Sequence, residues 1–108
     1  MSAAAAGRVH HAGHYVFAHG IAGTGADCAE SLREAMADLE ATLRSAGSGM
    51  HCIERITLYV RDAATTSSSL GAQLPVDMMA RSTVVEMGSL RDDALVELEA
   101  TATLVDAT

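Results

Sequence analysis

The stretch from Asp27 to Gly47 constrains this chain more than any other. Cys28, Leu32, Met36, Leu39 and Leu43 recur at spacings of four, four, three and four, while Glu30, Arg33, Glu34, Asp38 and Glu40 take the other faces. That is the pattern of a helix with a single apolar stripe. Asp27 followed three residues later by Glu30 has the form of a capping box, with aspartate as the acceptor. Gly47 supplies the left-handed residue that closes the other end. A helix with one apolar stripe needs an apolar surface to lie on, and the rest of the chain offers alternating runs. Ile56, Leu58 and Val60 alternate with Arg55, Thr57 and Tyr59, predicting a strand over 53–60. Residues 82–87 alternate again, and over 94–105 Val96, Leu98, Ala100, Ala102 and Leu104 oppose Glu97, Glu99, Thr101 and Thr103. The run RVHHAGHYVFAHG from Arg8 to Gly20 reads as a hairpin turning at Ala12-Gly13.

Gly20, Gly23 and Gly25 predict a loop from Gly20 to Asp27. Residues 63–77 are small, polar and weakly periodic, leaving room for a short helix around Ser68 to Leu74 that Pro75 ends. The order β-β-α-β-(α)-β-β predicts an α+β domain, with helices packed on one face of a mostly antiparallel or mixed sheet. Residues 1–7 read as a disordered start and 8–106 as one domain, since 108 residues leave no room for a second core. Twenty-one alanines and only three aromatic residues, Tyr15, Phe17 and Tyr59, make that core thin, which predicts help from other subunits.

Charge narrows the function. Seven arginines, no lysine and fourteen acidic residues leave a net charge of −7. Phosphate polyanions and anionic membranes need a basic stripe, which scattered arginines do not make. Without lysine there is no Schiff-base nucleophile, no covalent pyridoxal phosphate and no Walker-type loop. Cys28 and Cys52 have no paired spacing and read as reduced thiols, no apolar run approaches a membrane span, and the N-terminus lacks a signal-peptide pattern, so the expected location is cytoplasmic.

Three places carry chemistry. Arg81 lies where a strand begins, with no acidic neighbour in sequence. Its planar fork fits a carboxylate, either that of a small organic acid or that of Glu97 or Glu99 on an adjacent strand. Glu97 and Glu99 share one strand face, either as a water-activating carboxylate beside a pocket or as charges guarding a solvent-facing strand. His10, His11, His14 and His19 fall within ten residues, but strand parity splits them and no further ligand stands at metal spacing, so no metal site is expected. Ser67 to Ser69 have no histidine nearby to make a nucleophile.

The strings Tyr15-Val16-Phe17-Ala18-His19-Gly20, Ile53 to Asp62, Ala80-Arg81-Ser82-Thr83-Val84 and Leu95-Val96-Glu97-Leu98-Glu99-Ala100, with the capped helix between, resemble the RidA/YjgF family of imine and enamine deaminases over residues 9–105. The resemblance implies a chorismate-mutase-like fold, a homotrimer with clefts between subunits, and hydrolysis of small 2-imino or 2-enamino acids to 2-keto acids and ammonia. It implies that Arg81 grips the substrate carboxylate, that Glu97 positions the water, and that Thr83, His19 and Gly20 add contacts. No metal or organic cofactor is implied, and the partner is a small carboxylate rather than nucleic acid or membrane. His19 stands where the family carries a serine, and the tyrosine that the family supplies near Ala6 has no counterpart here. These departures leave a second expectation, a catalytically altered relative that binds or processes a carboxylate metabolite. The ribonuclease activity attached to relatives sits poorly with the acidic charge.

Overall fold

The computed structural model describes residues 8–90 and 93–105. Two short strands, β1 (Val9–Ala12) and β2 (Tyr15–Gly23), lead into the long helix α1 (Cys28–Ser45). After a 3₁₀ turn at Met50–Cys52 come β3 (Ile53–Val60), α2 (Ala63–Gln73), the single turn α3 (Val76–Met79), β4 (Ser82–Glu86) and β5 (Val96–Thr103). The strands form one sheet in the order β1-β2-β5-β3-β4. All neighbours are antiparallel except β3 and β4. The sheet is therefore mixed. Because β2 and β3 both run antiparallel to β5, they are parallel to each other, and α1 is the crossover that joins them around the inserted last strand.

The helix begins and ends as its sequence dictates. The Asp27 carboxylate accepts from the Glu30 backbone N–H at 2.8 Å. At the other end Gly47 has φ 87°, and Ser48 N–H returns to the Leu43 carbonyl at 2.8 Å, closing a Schellman turn. Of the expected stripe, Leu32, Leu39 and Leu43 are fully buried, while Cys28 and Met36 sit at its margin. Ser31, Ala35 and Thr42 complete the buried face. Beneath it lie Val16, Ala18 and Ile21 of β2, Val96, Leu98, Ala100 and Ala102 of β5, and Ile56, Leu58 and Val60 of β3. Each buried leucine contributes roughly 1.5–3 kcal/mol, so the stripe outweighs any one cap. Asp27→Ala is accordingly expected to lower unfolding free energy by about 1 kcal/mol without changing the fold, which urea denaturation will read as a lower midpoint at unchanged slope.

Two expectations need correction. The glycine-rich segment is not a loop from Gly20: β2 continues to Gly23. Ala18 faces Ala100 and Ile21 faces Leu98, so His19 and Gly20 together oppose Glu99 in a β-bulge, with Gly20 at φ 68°. The glycine supplies the positive φ that lets the strand resume after the extra residue. The second helix is also longer than expected, starting at Ala63. Its sequence lacks a strong apolar stripe, but Leu70, Leu74 and the following Met78 enter the core, and Gln73 Nε2 donates to the Ala29 carbonyl of α1 at 2.8 Å. Packing, not propensity, holds it. At the start of the domain, Arg8 makes a two-toothed ion pair with Asp38 of α1, at 3.0 and 3.3 Å. The expected disorder of residues 1–7 and the absent tyrosine near Ala6 lie outside the described residues.

Candidate active site

Helices cover one face of the sheet, and the other face carries the candidate site. Alternation puts Glu97 and Glu99 of β5, Tyr59 and Thr57 of β3 and His19 of β2 on this uncovered face, because their neighbours in sequence are buried. A cavity of about 380 Å³ opens here, lined by Tyr59, Met87, Ser89, Leu90, Glu97 and Glu99. Tyr59 stands opposite Glu97 in register, and its hydroxyl donates to Glu99 Oε1 at 3.1 Å. Burial first, then that hydrogen bond and the charges of Glu99 and Glu97, push the phenol pKa above its ordinary value. Tyr59 therefore stays a protonated donor throughout the neutral range.

Each residue singled out in the sequence has a definite place. Glu97 is half-buried at the cavity. His19 is half-buried at the bulge, its ring stacked on His10 of β1 with centroids 5.1 Å apart. Gly20 is buried, and its carbonyl accepts from Arg8 at 3.4 Å. Thr83 is exposed on the edge strand β4, level with Thr57. Arg81 caps the chain between α3 and β4, and its Nη1 donates to the Ile53 carbonyl at 3.0 Å. Of the other histidines, His11 Nε2 donates to the Ala46 carbonyl at 3.0 Å, on the helical side. Among the described residues no group of three or more His, Cys, Asp or Glu could hold a metal ion, and no helix is long and apolar enough to cross a membrane.

These positions fall into two groups. His19, Gly20, Glu97 and Glu99 meet on β2 and β5, whereas Arg81 and Thr83 stand at the beginning of β4. Strands β4 and β5 are not adjacent, since β3 lies between them. Within one protomer, therefore, Arg81 does not lie on a strand adjacent to that of Glu97 and Glu99. The carbonyl that Arg81 touches belongs to Ile53, six residues along β3 from the Tyr59 that faces Glu97. At ~3.3 Å per residue that is roughly 20 Å, far beyond the reach of both side chains. Within one protomer, the guanidinium and the cavity carboxylate do not converge. Tyr59, Met87, Ser89 and Leu90 were not foreseen as site residues. Parity alone would have found Tyr59, which alternates outward in β3, while the other three depend on how the loop after β4 folds back.

The profile of the family described as Endoribonuclease L-PSP matches residues 2–104. Among curated proteins none matches. Among solved structures, a YjgF/YER057c/UK114 family member from Mycobacterium tuberculosis is 27% identical, with a TM-score of 0.76, covering 90% of this chain and 85% of that one. A YjgF family protein from Neisseria meningitidis is 23% identical at a TM-score of 0.78, covering 93% and 87%. RidA from an Antarctic Psychrobacter is 15% identical at 0.77, covering 90% and 86%. The profile spans nearly the whole chain and the fold coincides with these structures from β1 to β5, so this protein belongs to the YjgF/RidA family, the family described as endoribonuclease L-PSP.

Proposed function

We propose that this protein hydrolyses small 2-imino and 2-enamino acids to 2-keto acids and ammonia, in clefts between the subunits of a homotrimer. The observation that carries the reading is the placement of Glu97, a carboxylate facing a cavity large enough for a small metabolite. In this reading the substrate carboxylate is gripped by the Arg81 of a neighbouring protomer, because the Arg81 of the same chain is too far away. The uncovered sheet face favours such an assembly: Tyr15, Phe17, Val85 and Met87 are exposed there with no helix over them. Sedimentation of a species three times the 11.2 kDa chain is the corresponding expectation.

The chemistry needs no cofactor. Glu97 takes a proton from a water molecule as its oxygen attacks the C=N carbon, whose nitrogen has already taken a proton from solvent. The resulting carbinolamine collapses when the nitrogen receives a second proton, from Glu97, and the C–N bond breaks to release ammonia. Proton loss from the hydroxyl leaves the keto acid. In this reading His19 and the Gly20 bulge, with Thr83 of the same neighbouring protomer that supplies Arg81, add polar contacts. Glu97→Gln removes the proton acceptor but keeps the shape, so a loss on the order of 10²–10⁴ in kcat is expected. The measurement is ammonia release from an imino acid made in situ by an amino-acid oxidase. If the native protein gives no acceleration over buffer, the reading fails.

One observation favours a second reading, a cleft that holds a carboxylate metabolite without deaminating it. His19 replaces the hydroxyl that the family resemblance expects, and stacked on His10 its bulkier ring is held in place. Tight carboxylate binding by calorimetry with no turnover would select it. Ribonuclease action is disfavoured by the net charge of −7 and by two glutamates on the open face.

A further inference from the structure

The reaction just described uses Glu97 and leaves Glu99 without a task, although both line the cavity. Glu99 is two residues further along the same strand face, so its Cα is ~7 Å from that of Glu97. Its environment is specific. The Tyr59 hydroxyl donates to it at 3.1 Å, and an ionised carboxylate can only accept such a bond. Glu99 is exposed, and the bond biases its carboxylate toward the cavity wall. Among the described residues no arginine or histidine forms an ion pair with it. The remaining wall is Met87, Leu90 and Ser89, two apolar side chains and one hydroxyl. The cavity thus combines partly apolar surface with a solvent-facing carboxylate that has no ion-pair partner among the described residues.

We infer that Glu99, held by Tyr59, determines which substrate side chains this cavity admits: neutral apolar ones enter, and those bearing a second carboxylate are turned away. The inference rests on the reading in which substrate occupies the Glu97 cavity. The first carboxylate of any such substrate is neutralised by an arginine fork, but a second one, at the end of a side chain, meets Glu99 as a like charge. At ~5–7 Å and an effective dielectric near 20, one fixed charge lowers affinity for a dianion by about tenfold to a hundredfold, with salt screening included. Tyr59 acts here as a positioning residue and Glu99 as a specificity-determining one.

The test uses stable products. Calorimetry on the full chain should show 2-oxobutanoate binding at least ~10-fold more tightly than 2-oxoglutarate, with the preference shrinking as ionic strength rises. Glu99→Gln should tighten 2-oxoglutarate until the two acids differ by no more than about threefold, while Glu99→Asp keeps the preference. Equal affinities in the native protein, a preference unmoved by salt, or one unchanged in Glu99→Gln would overturn the inference. The salt series needs only the native protein, so it decides even if the variant does not fold. Imine hydrolysis measured in parallel separates this claim from its parent. Turnover without discrimination sinks the Glu99 assignment alone. Discrimination without turnover sinks the deaminase and leaves the assignment standing. No binding of either acid together with no turnover sinks both.

Discussion

Arg81→Ala is expected to lower kcat/KM for imine hydrolysis by at least about a hundredfold while leaving the fold intact. Hydrogen bonds to charged groups are each worth roughly 1.5–3 kcal/mol, and a guanidinium makes two of them in parallel to one carboxylate, so the loss should exceed ~3 kcal/mol. No lysine exists to substitute, and the overall charge of −7 works against holding an anion by any diffuse field. Stability should hardly change. Arg81 is exposed, and among the described residues its side-chain bond is to the Ile53 carbonyl, worth about 1 kcal/mol. Arg81→Lys should not restore activity, because a point charge lacks the planar fork. Rates of ammonia release and thermal melts on the same preparations check this. Native-like kcat/KM in Arg81→Ala would remove the arginine from the mechanism.

The largest stability effect is expected at Gly23. A Cβ there would overlap the backbone carbonyl of Ser31 in the first turn of α1. Neither group can step aside: the glycine carbonyl accepts from Leu95 N–H at 3.2 Å, and the Ser31 amide is tied to the Asp27 carbonyl at 2.9 Å. Gly23→Ala must therefore push the helix away from the sheet and loosen Leu32 and Ala35 from the core. Overpacking a rigid contact costs about 1–3 kcal/mol, and backbone against backbone belongs at or beyond the upper end. Against a total stability of about 5–15 kcal/mol, that is a large share. The same substitution at Gly71, in the last turn of α2 with no atom within 4 Å of its added Cβ, should instead stabilise by up to roughly 0.5–1 kcal/mol. Urea midpoints shifting in opposite directions would bear this out, and equal shifts would refute it.

Much of the fold was legible because local patterns and tertiary demands agree. The Asp27 cap, the Gly47 stop and the alternations in β3 and β5 each express a period that a buried face requires, and the structure keeps all of them. The misreadings arise where a distant contact decides. The chain from Gly20 to Gly23 looks like a turn, yet β5 pairs with it and converts the glycines into a bulge and a close-packed strand end. The extent of α2 depends on Leu70, Leu74 and Met78 finding the core, which composition does not reveal.

The candidate site divides the same way. Residue types and alternation alone determined that the chain is α+β, that it is poor in cations, and that Glu97 and Glu99 share one face, because charge and side-chain parity are properties of the covalent chain. Only the tertiary structure decided that β3 separates Arg81 from Glu97, that Tyr59 fastens Glu99, and that a loop wall of Met87, Ser89 and Leu90 closes a cavity over them. Those outcomes follow from the order of strands in the sheet, which is set by which apolar faces α1 can cover at once and not by any local sequence signal.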